Sequence, residues 1–286
     1  MKVRKAVITA AGWGTRFLPL TKSQPKEMLP LVDKPLIQHS VEEAVDSGIE
    51  QIIMVTSSGK QAIEDYFDRS FEMEYILEHR GETELLQRLR ELYGLADICY
   101  IRQKEQLGLG HAIRTVKGLI GEEPFAVLLP DDIIDSEVPV LKQMIGVYEQ
   151  YETNVVAVER VSREDIMKYG IIEPEKVSDR VHRVLGIVEK PNLAKASSDL
   201  GVVGRYILMP QIFDALEVTK PGKNDEVQLT DALQFLLGQQ AMYACEFEGV
   251  RYDTGIPLGW LKAAVAFALK HPDIESKLKE YLRQIL

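Results

Sequence analysis

Two cations follow a glycine-rich turn near the start of the chain. In AVITAAGWGTRFLPLTKSQPKEMLP, residues 6–30, Gly12 and Gly14 flank Trp13, and Arg16 and Lys26 lie downstream in a proline-punctuated loop. Glycines placed directly after a strand let the backbone approach a ligand and turn amide N–H groups toward anions or base edges. A plain turn also uses glycine, but it has little use for two cations. The spacing fits neither the dinucleotide fingerprint, which needs a third glycine, nor the phosphate loop, which needs Gly-Lys-Ser/Thr. A second constellation is PDD at 130–132, directly after the apolar run FAVLL. Asp131 and Asp132 at the end of a buried strand could hold Mg²⁺, which takes few protein ligands and completes its shell with water and phosphate. They could equally cap a turn or a helix.

Such residues need a frame to converge. Strand-like KAVITAA, helix-like PLIQHSVEEAVDSG, strand-like QIIMVTSS and helix-like KQAIEDYFD alternate from the start, and a charged helical stretch, EHRGETELLQRLRELYG, precedes DICYIRQ, LGLGHAIRTVKGLIG and FAVLLPDD. This order predicts an α/β fold with a doubly wound, mostly parallel Rossmann-like sheet, whose ligand loops sit at the carboxyl ends of the strands. NVVAVERV, RVLGIVEKP and LGVVGRYILM read as further strands, with YGIIEPEKVSD as the connection between the first two. MYACEFEGVRYDTG reads as a strand plus a loop, and PLGWLKAAVAFALKHP and DIESKLKEYLRQIL read as C-terminal helices. The expected organisation is one domain, 1–286: a nucleotide-binding half at 1–135, a second half at 136–262 and terminal helices at 263–286.

Composition narrows the partners. The chain has 286 residues, 45% of them hydrophobic and 27% charged, with a formal net charge of −10. That charge repels nucleic acid and phospholipid surfaces at long range, so a small anionic substrate would need a local basic cluster such as Arg16 and Lys26. No apolar run approaches the roughly 20 residues of a membrane helix. The basic start MKVRK passes straight into a strand, which argues against a signal peptide. Cys99 and Cys245 sit in separate apolar stretches and read as buried, unpaired thiols in a reducing cytoplasm.

The stretch AAGWGTRFLPLTKSQPKEMLPLVDKP, followed in order by QKEQLGLGHA, LLPDD, KYGII, VEKP, VVGRYIL, DEVQLTDAL and YDTG, resembles the bacterial sugar-1-phosphate nucleotidylyltransferases over nearly the whole chain. PKEMLP and QLTDA resemble the uridylyl branch more than the thymidylyl branch. The resemblance implies a nucleotidyltransferase fold of glycosyltransferase-A type, Mg²⁺ as cofactor, UTP and glucose 1-phosphate as small-molecule partners, and a cytoplasmic homodimer or homotetramer. Arg16 and Lys26 would then serve the departing pyrophosphate. The backbone at Ala10, Ala11, Gly12 and Gly14 would meet the nucleoside, with Glu27 beside it. Gln103 and Gly108 would read the base, and a side-chain amide suits uracil because it both donates and accepts. Asp131 and Asp253 match the metal-binding positions, and Asp132 is left between metal and cap. Gly170, Glu189 and Lys190 match the sugar-phosphate side, with Glu189 accepting hydroxyls and Lys190 neutralising phosphate; elsewhere an adjacent Glu-Lys pair is simply surface. His111 reads as structural, and the acids of DEVQLTDAL as cap partners.

Three positions depart from the pattern: Trp13 where leucine is usual, Thr9 where proline is usual, and Pro257 where lysine is frequent. A binder of UDP-sugars without turnover is a rival of another class, but such a protein has little need for leaving-group cations. A dinucleotide-dependent oxidoreductase fails on the glycine spacing.

Overall fold

The computed structural model describes residues 1–222 and 225–285. In chain order the strands are β1 (Lys5–Thr9), β2 (Pro30–Leu31), β3 (Lys34–Pro35), β4 (Gln51–Thr56), β5 (Asp97–Arg102), β6 (Phe125–Leu128), β7 (Asp132–Asp135), β8 (Asn154–Arg160), β9 (Gly170–Lys176), β10 (Val181–Glu189), β11 (Leu200–Leu208), β12 (Met242–Glu246) and β13 (Val250–Asp253). The helices are α1 (Leu36–Asp46), α2 (Gln61–Phe67), α3 (Phe71–Arg80), α4 (Thr83–Tyr93), α5 (Leu109–Arg114), α6 (Lys117–Ile120), α7 (Val140–Tyr151), α8 (Ile212–Val218), α9 (Leu229–Leu237), α10 (Pro257–Ala268) and α11 (Glu275–Ile285). Leu286, the last residue of the expected tail helix, lies outside the described residues.

Among these residues, nine strands form one sheet in the order β5-β4-β1-β6-β11-β8-β12-β10-β9. Successive residues of the central strands enter opposite cores. Val7, Ile53, Phe125, Val127 and Val156 pack on one face, and Ala6, Ile8, Ile52, Ala126, Leu128 and Val155 on the other. A strand covered on both faces reads as a continuous apolar run, which is why these segments show in the sequence as blocks rather than as alternation.

The sheet is mixed, which corrects the expectation of a mostly parallel one. β5, β4, β1 and β6 pair in parallel, as the opening alternation of strand and helix requires. β11 then inserts antiparallel between β6 and β8, and β10 pairs antiparallel with both β12 and β9. The cause is local. β9 and β10 are joined by the tight turn Val177–Arg180, where the Val177 N–H donates to the Val181 carbonyl, and a turn this short permits only an antiparallel pair. The segment expected as a connection is therefore itself the strand β9, and its Pro174 is tolerated because β9 ends the sheet order. Gly201 of β11 also pairs with Ile171 of β9, so strands β11, β8, β12, β10 and β9 curl until the last meets the first. The charged stretch read as one helix is two, α3 and α4, broken at Gly81 with its φ of 71°. Cys245 is buried and Cys99 half-buried, neither in a disulfide, and burial pushes the Cys245 thiol up to about 11.

One buried side chain ties these pieces together. Arg205 of β11 is 1% exposed. Its guanidinium donates to both carboxylate oxygens of Glu43 on α1 and to the carbonyls of Leu129, Asp132 and Gly204. It thereby fastens both ends of the Leu129–Asp132 turn. Replacing one member of a buried ion pair strands the other, so Arg205→Met should cost about 3–5 kcal/mol of stability. Thermal melting checks this, and a melting temperature within a degree or two of wild type would contradict it.

Candidate active site

The loop after β1 folds by short-range contacts into three single 3₁₀ turns, Thr15–Phe17, Leu20–Lys22 and Lys26–Met28. Gly14 adopts the left-handed conformation at φ 66° and accepts a hydrogen bond from Thr21 Oγ1 at 2.7 Å. A Cβ there would press on Thr21 and Lys26, at 3.1 and 3.3 Å. Gly12 differs, since a Cβ at that position would meet nothing within 4 Å. No contact among the described residues demands glycine there, whereas a ligand lying on the backbone would. Ala10 and Ala11 are buried beneath; the Ala10 N–H donates to the Val55 carbonyl and the Ala11 carbonyl accepts from Ser57 Oγ. Trp13 is exposed at the tip.

Lys26 Nζ donates to Asp131 Oδ2 at 2.5 Å. Burial opposes the lysine charge, but the Asp131 and Glu27 carboxylates outweigh it and raise the ammonium above its ordinary value. Burial likewise opposes ionisation of Asp131, and Lys26, by charge and hydrogen bond, together with Arg16, holds that carboxyl below the usual range. Asp253 arrives through the β7–β13 ribbon, in which it pairs with Asp132. Thr254 then donates from both N–H and Oγ1 to the Asp131 carbonyl, each at 2.8 Å. The point where a Cβ on Gly255 would stand is 2.9 Å from Asp131 Oδ2, 3.0 Å from Asp253 Oδ1 and 3.4 Å from Arg16 Nη1.

Among the described residues no three His, Cys, Asp or Glu side chains converge as a metal cage. Two converging carboxylates are nonetheless the donor set that suits Mg²⁺, which uses one or two of them and fills its octahedron with water and phosphate oxygens. Lys26 and the Gly255 amide donate to the two oxygens that face this point, Asp131 Oδ2 and Asp253 Oδ1, so a cation there would share them with these donors or take the second oxygen of each carboxylate.

The structure separates Asp132 from its neighbour. Its Oδ1 receives Arg251 Nε at 2.5 Å and its Oδ2 the Gly204 N–H at 2.9 Å, with carboxylate and guanidinium each less than a tenth exposed. Burial pushes this carboxyl up and Arg251 opposes the shift. Arg251 further donates to Glu159 and to the Tyr169 hydroxyl, and lies over the Tyr169 ring. Asp132 is thus committed to locking β13 against the central sheet.

At the end of β5, Gln103 is buried, and its Nε2 donates to the Gly108 carbonyl at 3.2 Å and lies 2.9 Å from His111 Nδ1. A carbonyl can only accept, so the amide nitrogen must face it and Oε1 faces the other way. Burial lowers the His111 pKa, and the neutral ring accepts at Nδ1. His111 therefore orients Gln103, as its structural reading anticipates. Gly108 precedes α5 at φ 92°, packed on Glu226 and Val227.

A cleft of about 810 Å³ joins the second half of the site. Arg16, Asp131, Gly170, Glu189, Lys190 and Asp253 all line it. Glu189 Oε2 accepts from Thr230 Oγ1 at 2.6 Å, and its Oε1 lies 3.1 Å from Lys190 Nζ. Lys190 adopts a left-handed φ of 42° and its N–H donates to the Tyr169 carbonyl. Lys26 reaches the cleft only through Asp131, while the loop backbone, Gln103 and Gly108 lie outside its lining. Glu27, linked by resemblance to the nucleoside, is buried, sends Oε2 to Lys60 at 2.6 Å, and does not line the cleft. Sequence reasoning missed Lys168, Thr230 and Arg251, which do line it. KYGII, DEVQLTDAL and RYDTG contain them, but a lone exposed lysine, a threonine and a pre-turn arginine carry no signal by type.

A mixed α/β sheet with a glycine loop, paired cations and two acids at neighbouring strand ends defines a nucleotide-handling transferase. A family model described as Nucleotidyl transferase matches residues 5–268, and the chain belongs to that family. It is 49% identical over 284 residues, 99% of either chain, to a Staphylococcus epidermidis protein named UTP–glucose-1-phosphate uridylyltransferase. Its fold is similar to a UDP-glucose pyrophosphorylase solved with UDP-glucose, at TM-score 0.87 and 46% identity over 94% of this chain and 100% of the other. It is likewise similar to a UTP-bound enzyme of that name from Acinetobacter baumannii, at TM-score 0.92 and 39% identity over 99% of this chain and 100% of the other.

The adjacent acids should part under substitution. Asp132→Asn leaves Arg251 its bonds to Glu159 and Tyr169 but turns an amide donor against either the guanidinium or the Gly204 N–H, and should cost about 1–3 kcal/mol of stability. Asp131→Asn, at the open rim, should keep its melting temperature within a few degrees and lose turnover. Melting and activity on both variants decide, and equal melting temperatures would refute the division of labour.

Proposed function

We propose that the chain is a Mg²⁺-dependent UTP–glucose-1-phosphate uridylyltransferase, which transfers UMP from UTP to glucose 1-phosphate and yields UDP-glucose and pyrophosphate. The observation that carries this is the convergence of Arg16, Asp131 and Asp253 around one point, with Lys26 bound to Asp131, in a chain whose full-length relatives bear that name. In the proposed reaction an oxygen of the sugar phosphate attacks the α-phosphorus in line as negative charge grows on the leaving pyrophosphate. Arg16, which lines the cleft, and Lys26, held by Asp131, would be the cations that stabilise that charge. Asp131 and Asp253 would hold Mg²⁺, which supplies shielding of the polyphosphate against the incoming anion.

Ala10, Ala11, Gly12 and Gly14 offer the nucleoside a close backbone, and Glu27 backs the loop. Gln103, with its N–H groups turned to Gly108 and His111, keeps a carbonyl that suits the uracil N3–H. Glu189 accepts sugar hydroxyls beside Gly170, and Lys190 meets the sugar phosphate. The left-handed backbone of Lys190 supports a functional demand, since strain of order 1–3 kcal/mol persists where the surroundings over-determine it. The same reading takes 1–286 as one domain acting in the cytoplasm as a homodimer or homotetramer. Exposed Tyr281 and Ile285 on α11 are compatible with a partner subunit. Among the described residues no helix is long and apolar enough to cross a membrane.

The test is pyrophosphate release from UTP, glucose 1-phosphate and Mg²⁺, which a chelator should abolish. No release, or release with dTTP but not UTP, would overturn the assignment. Gln103→Ala should weaken UTP by about 1–3 kcal/mol; an equal loss with every nucleotide would remove its base-reading role. Lys190→Ala should raise the KM for glucose 1-phosphate while MgUTP binding, measured by calorimetry, is maintained, and a collapse of MgUTP binding would reassign it to the nucleotide.

A further inference from the structure

The glycine loop is tied down at two points by one neighbouring connection, the segment between β4 and α2. Near the start of the loop, Ser57 Oγ donates to the Ala11 carbonyl at 3.0 Å. At its far end, Lys60 Nζ donates to Glu27 Oε2 at 2.6 Å, with the two side chains 8% and 1% exposed. Everything from Gly12 to Lys26 lies between these ties. Lysine and glutamate are almost never buried unless paired, and an apolar pair of similar volume would pack as well without the desolvation cost. What the ion pair adds is direction. It turns Glu27 toward Lys60, while the preceding residue, Lys26, extends to Asp131 at 2.5 Å. The second carboxylate oxygen, Glu27 Oε1, is buried without a partner among the described residues, so the hydrogen bonding of this side chain depends on Lys60.

We propose that Lys60 is a positioning residue for nucleotide transfer: through its buried bond to Glu27, with Ser57 as the second tie, it holds the loop so that Lys26 and the Ala11–Gly12 backbone face the nucleotide. This rests on the uridylyl reading. Burial raises the Glu27 carboxyl against the pull of Lys60 and Lys26, so loss of Lys60 leaves a group that burial penalises and that rearranges the loop to find a partner.

The experiment is steady-state kinetics on wild type, Lys60→Met, Lys60→Arg, Ser57→Ala, Glu27→Gln and Glu27→Gln/Lys60→Met, with melting curves for each. Displacement of a positioned group by about 1 Å costs up to about 10²-fold, so Lys60→Met should raise the UTP KM at least about tenfold and leave the glucose 1-phosphate KM at saturating UTP within about twofold. Lys60→Arg should recover most of the loss. The double variant should lose less than the sum of its parts, because the stranded carboxylate is gone. Ser57→Ala keeps the fold if Lys60→Met does not, and should raise the UTP KM in the same direction. UTP KM values at the wild-type level in Ser57→Ala and in folded Lys60→Met would overturn the proposal. So would an equal rise in both KM values, or a fall in kcat with both unchanged, which is what a smaller folded fraction produces. An inactive wild type would sink the uridylyl reading itself, whereas an active wild type with unaffected variants would sink only the brace.

Discussion

A guanidinium buried in the middle of a sheet has to be surrounded by acceptors, and that requirement shapes everything at the centre of this molecule. Arg205 points into the space between α1 and the turn after β6, and its donors go to Glu43, Leu129, Asp132 and Gly204. Glu43 and the Leu129–Asp132 turn are far from Arg205 in the chain, and the guanidinium ties both to β11 beside the backbone bond from the Leu129 N–H to the Gly204 carbonyl. Once the turn is fastened, Asp132 receives Arg251, and Arg251 in turn holds Glu159 and Tyr169. Asp131 is left at the open end of this chain of contacts. The two adjacent aspartates thus part: Asp132 anchors β13, while Asp131 bonds Lys26 and lines the cleft.

The two sides of the cleft are rigid for different reasons. The glycine loop is short-range architecture: single 3₁₀ turns, a left-handed glycine and a threonine folded back on it, all settled within fifteen or so residues and then tied to the β4–α2 connection. The opposite side depends on pairing between distant strands. Gly170 and Glu189 meet through the β9–β10 hairpin, and Ile171 pairs with Gly201 of β11, so this hairpin reaches the cleft when the sheet curls. Lys26–Asp131 is the bond that joins the sides.

Much of this was legible in the chain. Arg16, Asp131, Gly170, Glu189, Lys190 and Asp253, singled out by type, spacing and resemblance, line one cleft. The parallel first half followed from alternating strand and helix patterns. Illegible were Asp132, which by type is as good a metal ligand as Asp131, and Arg205 and Arg251, whose roles lie wholly in their partners. β9 was hidden by Pro174, which argues against a strand unless the strand is known to end a sheet.

What the amino-acid sequence determined alone was whatever depends on short range: strand blocks, the loop after β1, the positions of acids at strand ends and the family pattern they form. Tertiary structure decided the antiparallel insertion of β11, the pairing of Asp253 with Asp132, and which charges are spent inside. Arg205 and Glu43 are 162 residues apart, and Arg251 and Asp132 are 119. A charge reads the same in sequence whether water or a buried partner will satisfy it. Only the fold, by removing the water, makes the partner obligatory.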